Sequence, residues 1–367
     1  MGVCSASYPP MVAAMSTEAA LGALAAADPE SSPRRERAVA LGASAGGVEA
    51  LTRVVHQLPP SFAAPILVVL HVPSTAVSRL PDILSRAGAL PAEHARHGDV
   101  PQPGRIYVAP PDRHLVVNEG RLVLIEGPHE NGVRPAIDPL FRSAAAWYRE
   151  RLVAAVLSGT LDDGTAGVAS VRARGGMTVA QEPTDAIAPG MPSSAIENAG
   201  VDHVLPARQI GALLGDFVSG RIRAGPPRRA ATSDTSEPVD LVCPECGGVL
   251  RKFEENGVIR FHCRVGHTYS PDALYAAYDG RLEAALWAAI RSLEESASLA
   301  RRLAANARAN GSGLTARTYE QREREAAERA DVVRSALLAL TPLGELPPDA
   351  EPPPVAADAG NRGDAAL

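Results

Sequence analysis

The chain has 367 residues, of which 46% are hydrophobic, so it can form two or three domains with substantial cores. The formal net charge is −6 at pH 7, which argues against nucleic acid as the main partner, because phosphate binding needs a concentrated basic surface. No apolar run approaches the ~20 residues that a membrane span needs. We therefore expect neither a nucleic-acid partner nor a membrane span.

Composition divides the chain into six segments. Residues 1–36 are Ala-rich and lack the basic start and compact apolar core of a signal peptide, which predicts a disordered leader. Residues 37–222 alternate short β-branched runs with helical patterns, which is typical of an α/β domain. The remaining predicted segments are a Pro-, Ser-, Thr- and Arg-rich linker (223–239), a small cysteine-containing unit (240–270), a helical hairpin (271–341) and a disordered tail (342–367).

Several runs within residues 37–222 define the fold class. "RAVALGAS", "APILVVLHVP" and "LVAAVLSGT" indicate buried strands, whereas "VEALTRVVHQL" and "DPLFRSAAAWYRE" have apolar residues at helical spacing. "HLVVNEGRLVLIE" predicts a hairpin that turns at residues 118–120. Alternation of helices with continuously apolar strands predicts a doubly wound, mainly parallel sheet with helices on both faces, a three-layer α/β/α fold.

The stretch "ALGASAGGVE" from Ala40 to Glu49 contains a G-x-S-x-G pattern at a strand-to-helix turn. Small neighbours allow a sharp turn that exposes the Ser44 hydroxyl, and N–H groups at the helix start can hold an oxyanion or a phosphate. A dinucleotide loop would have glycine where Ser44 stands, and a phosphate loop would have a lysine that is missing here. These differences disfavour nucleotide binding.

Three predicted strands end in residues of a hydrolytic triad. Ser44, His71 and the Asp162–Asp163 pair each follow a buried strand, and ligands of open α/β sheets bind at the carboxyl ends of the strands. Taken singly, the histidine could be a solvated loop residue and the acids a helix cap. Together they predict a Ser-His-Asp site, because such a triad is recognised by geometry and not by chain order.

Several segments in the same order carry a family resemblance: "ALGASAGGVEAL", "VVLHVPS", "GRIYVAPPDRHL", "RPAIDPLF", "AAVLSGTLDDGTAGV" and "AQEPTDAIAPGMPSSAIENAG". Residues 37–222 resemble the catalytic domain of the CheB-type chemotaxis-receptor methylesterases. The resemblance implies hydrolysis of γ-glutamyl methyl esters on methyl-accepting chemoreceptors and, in many members, deamidation of receptor glutamines. It also implies that Ser44 is the nucleophile, that His71 is the general base, and that Asp163, not its neighbour Asp162, orients the histidine.

Further residues match family motifs or depart from them. The backbone N–H groups near Ala45 and Thr160 are candidates for an oxyanion hole, which would stabilise the tetrahedral intermediate. Ala45 stands where the family often has Thr, Leu161 where it usually has Gly, and Leu70 where it often has Gln, which bears on rate and substrate preference. Motif matches also indicate candidate cleft residues: Arg134, Asp138, Met191 and Pro192. The structural alternatives are a helix start for Asp138 and loop packing for Met191 and Pro192.

Regulation is expected to differ from that of chemotaxis members of the family, which carry an N-terminal phosphoreceiver domain. The thirty-odd Ala-rich residues before the catalytic domain are too few to form one. We therefore expect either constant activity or control through the C-terminal part. The alternative function is a non-catalytic signalling adaptor, in which an esterase-like domain serves only as a scaffold for docking.

The C-terminal part contains a metal-binding pattern. Cys243-x2-Cys246 is followed after sixteen residues by Cys263-x3-His267, the spacing of a Cys3His zinc ribbon, and His262 is the other candidate fourth ligand. About 30 residues bury too little apolar surface to fold alone, so a structural zinc would supply folding energy. Clustered cysteines of this kind indicate a reducing compartment, so we expect a cytoplasmic protein without a catalytic cofactor.

Two charged helices follow the cysteine unit. Leu282, Leu286, Ile290 and Leu293 lie on one helical face, and "NGSG" separates the first helix from the second. This pattern predicts a helical hairpin or short coiled coil. The hairpin could dock a partner or a receptor, or it could pack only on itself.

Overall fold

A computed structural model describes residues 36–228 and 233–340. The predicted leader up to residue 35 and the predicted tail lie outside these residues. The chain divides into two compact units, Met1–Tyr278 and Asp279–Leu367. No helix in the described ranges combines the length and the apolar character needed to cross a membrane.

The first unit is built on a parallel sheet, as its continuously apolar strands predict. All its strand pairs are parallel, and their order is β3-β4-β2-β1-β7-β8-β9. Its strands are β1 (Ala38–Ala43), β2 (Ile66–Leu70), β3 (Ala92–His94), β4 (Ile106–Val108), β7 (Leu152–Val156), β8 (Met177–Gln181) and β9 (His203–Leu205).

Helices cover both faces of the sheet, because alternate residues of each buried strand point to opposite sides. In β1, Val39 and Leu41 pack with one apolar cluster, and Ala38 and Ala40 pack with another. The first cluster includes residues of α1 (Gly47–His56), α2 (Leu80–Ala87) and α6 (Ala207–Val218); the second includes residues of α3 (Ile137–Tyr148), α4 (Thr165–Ala173) and α5 (Gly190–Ser194). The predicted three-layer fold is confirmed.

The predicted hairpin is also present. Strands β5 (His114–Asn118) and β6 (Arg121–Ile125) form a separate two-stranded antiparallel sheet. Its turn has positive φ angles at Glu119 (48°) and Gly120 (74°), which suits the right-handed twist of the paired strands.

The order of the parallel strands indicates where a ligand would bind. The chain passes from β1 to β2 and then to the edge strand β3, comes back to β4, and later crosses to β7 on the other side of β1. Ligands of open α/β sheets bind where the strand order reverses, outside the carboxyl ends of the strands. The loops after β1 and β7 lie at that place.

The cysteine unit forms a second, antiparallel sheet, which we call the ribbon (residues 233–270). Its four strands, β10 (Ser233–Val242), β11 (Val249–Glu255), β12 (Val258–Cys263) and β13 (Thr268–Tyr269), pair in chain order. Strand β10 begins inside the segment expected from composition to be a linker, so residues 233–239 belong to the ribbon sheet. The ribbon lies in the same compact unit as the parallel sheet.

Two long packed helices end the described chain, as the pattern predicts: α7 (Pro271–Ala309) and α8 (Gly313–Leu340). The first turns of α7 belong to the first unit, and the rest of the hairpin forms the second. Ile290 is buried in the second unit, whereas Leu282, predicted for the same face, is 48% exposed. Ion pairs such as Arg301–Glu323 join the two helices.

Candidate active site

Ser44 lies at the sharp turn between β1 and α1. Gly46 has a φ of 71°, and a Cβ there would lie 2.7 Å from Ser158 Oγ, so both the backbone and the available space require glycine. The Ser44 N–H donates to the Ser158 carbonyl (2.8 Å), and Ser158 Oγ donates to the Ala45 carbonyl (2.7 Å). The segment after β7 therefore holds the turn that carries Ser44.

His71 follows β2 and lies next to Ser44 in the order of the strands. Ala43 pairs with Leu70, and the His71 N–H donates to the Ala43 carbonyl at 3.1 Å, so Ser44 and His71 occupy the next positions of neighbouring strands. His71 Nε2 bonds to Asp163 Oδ2 at 2.7 Å, which leaves Nδ1 as the nitrogen for Ser44. No hydrogen bond joins Ser44 Oγ to His71 in the described residues, and their proton transfer stays a prediction.

Asp163 is buried and receives several hydrogen bonds. Its Oδ2 accepts from His71 and from the Ile137 N–H (2.7 Å), and its Oδ1 accepts from Asn131 Nδ2 (2.8 Å) and the Gly164 N–H (3.0 Å). Burial alone would raise the pKa of Asp163, but the hydrogen bond and charge of His71, with the other donors, lower it to about 2. Asp163 is therefore a fixed carboxylate behind the imidazole.

Asn131 is a site residue that the sequence analysis did not identify. It lies on a turn with a φ of 54° and donates its side-chain amide to Asp163. The only sequence signal is the Asn131–Gly132 pair, which marks a turn close to the "RPAIDPLF" motif. Nothing in that signal indicates contact with a residue 32 positions further along the chain.

Comparisons with known proteins identify the family to which this part of the chain belongs. The CheB methylesterase family model matches residues 39–214. Protein-glutamate methylesterase/protein-glutamine glutaminase 2 of Anaeromyxobacter dehalogenans is 40% identical over 176 residues, covering 48% of this chain and 52% of the relative. Protein-glutamate methylesterase/protein-glutamine glutaminase 3 of the same organism is 42% identical over 188 residues, covering 50% of this chain and 55% of the relative. Residues 39–214 form a CheB methylesterase domain.

A solved structure is also similar to this chain. The Thermotoga maritima CheB methylesterase catalytic domain has 35% sequence identity and a TM-score of 0.48, with 50% of this chain and 99% of that one covered. The chain spans about half the length of the curated relatives it matches. The ribbon and the helical hairpin lie outside the region that the CheB methylesterase family model matches.

The other predicted cleft residues of the CheB methylesterase domain have different surroundings. Ala45, which follows Ser44, and Thr160, which lies in the loop after β7, are both exposed. Arg134 bonds through Nε and Nη2 to Asp112 Oδ1 (2.9 and 2.5 Å), which ties two loops together. Met191 is fully buried, and a Cβ on Gly159 would lie 2.1 Å from its Sδ. Met191 therefore packs beneath the loop that faces Ser44, and its neighbour Pro192 is also buried.

Two residues of the loop after β7 have unusual environments. Leu161 has a φ of 59°, in the left-handed region that favours glycine. Asp162 is buried and accepts a hydrogen bond from Ser270 Oγ, a ribbon residue. Burial raises the pKa of Asp162 to about 6, although the Ser270 hydroxyl opposes this shift. Asp162 thus joins this loop to the ribbon, whereas Asp163 bonds to His71.

The predicted metal-ligand residues lie together in the ribbon. The ligand atoms of Cys243, Cys246, Cys263 and His267 all lie within 4.8 Å of one another. Cys246 Sγ is 3.5 Å from Cys263 Sγ, and His267 Nδ1 is 3.6 Å from Cys243 Sγ and 3.5 Å from Cys263 Sγ. Ligands of a tetrahedral zinc with Zn–S bonds of about 2.3 Å are about 3.7 Å apart, so this cluster could hold such an ion.

Surrounding residues orient His267 toward this cluster. Its Nε2 lies 3.1 Å from Glu245 Oε2, which leaves Nδ1 for a metal. The same carboxylate accepts from His129 Nδ1 (2.7 Å) and from the Tyr269 hydroxyl (2.6 Å). His262 is not part of the cluster; its ring lies 4.9 Å from that of Phe253. Glu245 thus connects the cluster to His129, two residues before Asn131.

Proposed function

We propose that this chain hydrolyses glutamate methyl esters on chemoreceptor-type proteins through a Ser44–His71–Asp163 triad. The observation that carries the proposal is the hydrogen bond from His71 to the buried Asp163 carboxylate, at the strand position next to Ser44. Curated relatives named protein-glutamate methylesterase/protein-glutamine glutaminase support the choice of ester and, for some receptors, of a glutamine amide.

The proposed reaction begins when His71 Nδ1 takes the Ser44 proton and the alkoxide attacks the ester carbonyl. Asp163 stabilises the imidazolium, and backbone N–H groups near Ala45 and Thr160 stabilise the oxyanion. His71 returns the proton to the departing methoxide, so methanol is released and the glutamyl group stays bound to Ser44 as an acyl-enzyme. Water, deprotonated by His71, then releases glutamate.

The cysteine cluster supports a second part of the proposal. The four ligands of Cys243, Cys246, Cys263 and His267 suit one structural Zn²⁺, because a catalytic zinc needs an open position. No disulfide joins the three described cysteines, so all three sulfurs are available as metal ligands, and a cysteine cluster of this kind fits a reducing compartment. We therefore assign the activity to the cytoplasm, with the metal stabilising the ribbon.

The decisive experiment measures methanol release from methylated receptor membranes by the full-length chain. Ser44→Ala should lose about 10⁴-fold or more in rate, because the nucleophile is removed, with an unchanged melting temperature. Ser61→Ala, at an exposed serine before β2, is the matched control and should keep the wild-type rate. Equal rates for Ser44→Ala and wild type would refute the proposed triad.

A fluorophosphonate probe separates this proposal from the adaptor hypothesis. Labelling that requires both Ser44 and His71 is expected of an active triad. A wild-type chain that neither labels nor releases methanol would favour the adaptor instead.

A further inference from the structure

The ribbon contacts the segment that carries Asn131. The Asn131 N–H donates to the Thr268 carbonyl (2.7 Å), and the Thr268 N–H donates to the His129 carbonyl (3.2 Å). These bonds place Glu130 beside Thr268 in a parallel bridge. The end of the ribbon that follows the predicted ligand His267 therefore extends along residues 129–131.

The Asn131 side chain connects the ribbon to the triad. Its Oδ1 accepts from the Ser270 N–H (2.9 Å), and its Nδ2 donates to Asp163 Oδ1 (2.8 Å) and Asp138 Oδ2 (3.3 Å). A backbone N–H only donates and an ionised carboxylate only accepts, so the amide has one orientation that satisfies all three partners. The ribbon backbone at Ser270 thus helps to fix the donor that faces Asp163.

Arg260 is the second link between the ribbon and the site. It projects from β12, its side chain is 0% exposed, and its Nη2 lies 2.9 Å from Glu130 Oε2 and 3.5 Å from Asp138 Oδ2. Arg142 also pairs with Glu130, and Glu255 adds a further acidic charge nearby. The cation from the ribbon therefore neutralises acids on both sides of Asn131.

Arg260 also influences the ionisation of Asp138. Burial raises the pKa of Asp138 to about 7, and the nearby Arg260 charge opposes that rise. A protonated Asp138 would become a donor and could compete for the Asn131 amide or for Asp163. Loss of the Arg260 charge would raise the pKa of Asp138 further and favour its protonated form, which would weaken the arrangement in which Asn131 donates to both carboxylates.

We propose that the ribbon completes the esterase site, with Asn131 and Arg260 acting as positioning residues that hold Asp163 in line with His71. This inference rests on the proposed hydrolase function. It assigns to the ribbon a part in catalysis that requires no contact with substrate. Loss of either residue should lower the turnover number more than it changes substrate binding, because the reacting groups are misaligned while the exposed cleft is unchanged.

The test compares four variants of the full chain: Asn131→Ala, Arg260→Met, Arg260→Lys and Lys252→Met. Lys252 is exposed on β11, next to β12, and serves as the matched control. For Asn131→Ala and Arg260→Met we expect kcat and the fluorophosphonate labelling rate of Ser44 to fall about 10- to 100-fold, with KM nearly constant. Arg260→Lys keeps the charge and should lose less than Arg260→Met, and Lys252→Met should match wild type.

The pH profile supplies a measurement that a purely structural defect would not change. The acid limb of the rate profile reports protonation of the general base. A misaligned Asp163 stabilises the imidazolium less, so this limb should move to lower pH in Asn131→Ala and Arg260→Met. Wild-type rates and an unshifted limb in Asn131→Ala, or in a folded Arg260→Met, would overturn the inference.

The outcomes for the two proposals are distinguishable. If Arg260→Met does not fold, Asn131→Ala and Arg260→Lys decide the question by the same measurements. An active wild-type chain with insensitive variants refutes only the role of the ribbon. A wild-type chain that neither releases methanol nor labels refutes the proposed function, and the positioning roles with it.

Discussion

The parallel sheet and the ribbon belong to one compact unit, yet different interactions hold them together. The sheet has large apolar clusters on both faces, with side chains such as Leu41 and Phe141 completely buried. The buried core of the ribbon is small and includes two of the predicted metal ligands, Cys243 and Cys263. Hydrophobic burial can fold the sheet, whereas we expect the ribbon to depend on a bound metal and on its contact with the first domain.

The contact between these two regions is unusually polar. Arg260, Glu130 and Asp138 are buried there, together with the Asp162–Ser270 hydrogen bond. Breaking a buried ion pair by removing one partner typically costs ~3–5 kcal/mol, whereas an apolar contact tolerates small shifts in geometry. The ribbon therefore docks through directional bonds, which require its position to be well defined.

Metal removal should have the largest effect on stability, and that effect should be confined to the ribbon. Cys263→Ser is expected to lose bound zinc, and structural zinc contributes on the order of 10 kcal/mol to folding of such units. Amide hydrogen exchange should then show loss of protection in β11 and β12, with protection of β1 and β7 retained. Zinc content is measured in the same samples.

A matched control for this variant is Cys4→Ser, because Cys4 lies outside the metal-binding pattern. It should keep both the zinc and the exchange protection. Ribbon strands that remain protected in zinc-free Cys263→Ser would show that burial and docking alone hold the ribbon, and the proposed contrast with the sheet would be wrong.

A smaller, pH-dependent effect is expected at Asp162, where the loop after β7 meets the ribbon. Its folded-state pKa is raised to about 6 from an ordinary 3.8, so the ionised carboxylate destabilises the fold above about pH 6. This cost is absent below about pH 4, where both states are protonated. Asp162→Asn should therefore be more stable than wild type by about 1–3 kcal/mol at pH 8, with the difference shrinking toward pH 4.5.

Denaturant titrations at pH 4.5 and pH 8 measure this difference. Asp82→Asn, at an exposed acid of α2, is the control and should show no comparable pH dependence. A stability difference for Asp162→Asn that is the same at both pH values would mean that Asp162 is not penalised by burial.

The sequence predicts the sheet and the strand-end residues because their signals are local. Buried strands are apolar runs, and parallel strands bring their carboxyl ends to one rim, so Ser44, His71 and Asp163 could be grouped before any contact was known. The Cys-x2-Cys spacing is equally local. The resemblance then supplied the assignment of Asp163 instead of Asp162, which no spacing argument had provided.

The ribbon contacts could not be predicted in this way. Arg260 lies in a short strand whose alternation allows either face to be solvent-exposed, and its partner Glu130 is 130 residues away in the chain. Asn131 appears in the sequence only as a turn residue. Both roles depend on how two separately patterned regions dock, and composition even assigned the first residues of β10 to a linker.

The smallest expected effect concerns Leu161, in the loop between the triad and the ribbon contact. Its φ of 59° is a left-handed backbone conformation, which costs roughly 1–2 kcal/mol for a residue that carries a β-carbon. Its side chain is 43% exposed, so little packing offsets that cost. Leu161→Gly should relieve the strain and, after the greater flexibility of the unfolded chain is counted, stabilise the fold by about 0.5–1 kcal/mol.

Leu161→Ala separates backbone strain from loss of the side chain, because it removes the same packing and keeps the β-carbon. In denaturant titrations, Leu161→Gly should be more stable than wild type, and Leu161→Ala should be equal or less stable. If glycine and alanine destabilise the protein equally, the side chain and not the backbone governs this loop. If only glycine stabilises it, the loop between the sheet and the ribbon holds backbone strain that substitution can release without altering a triad residue.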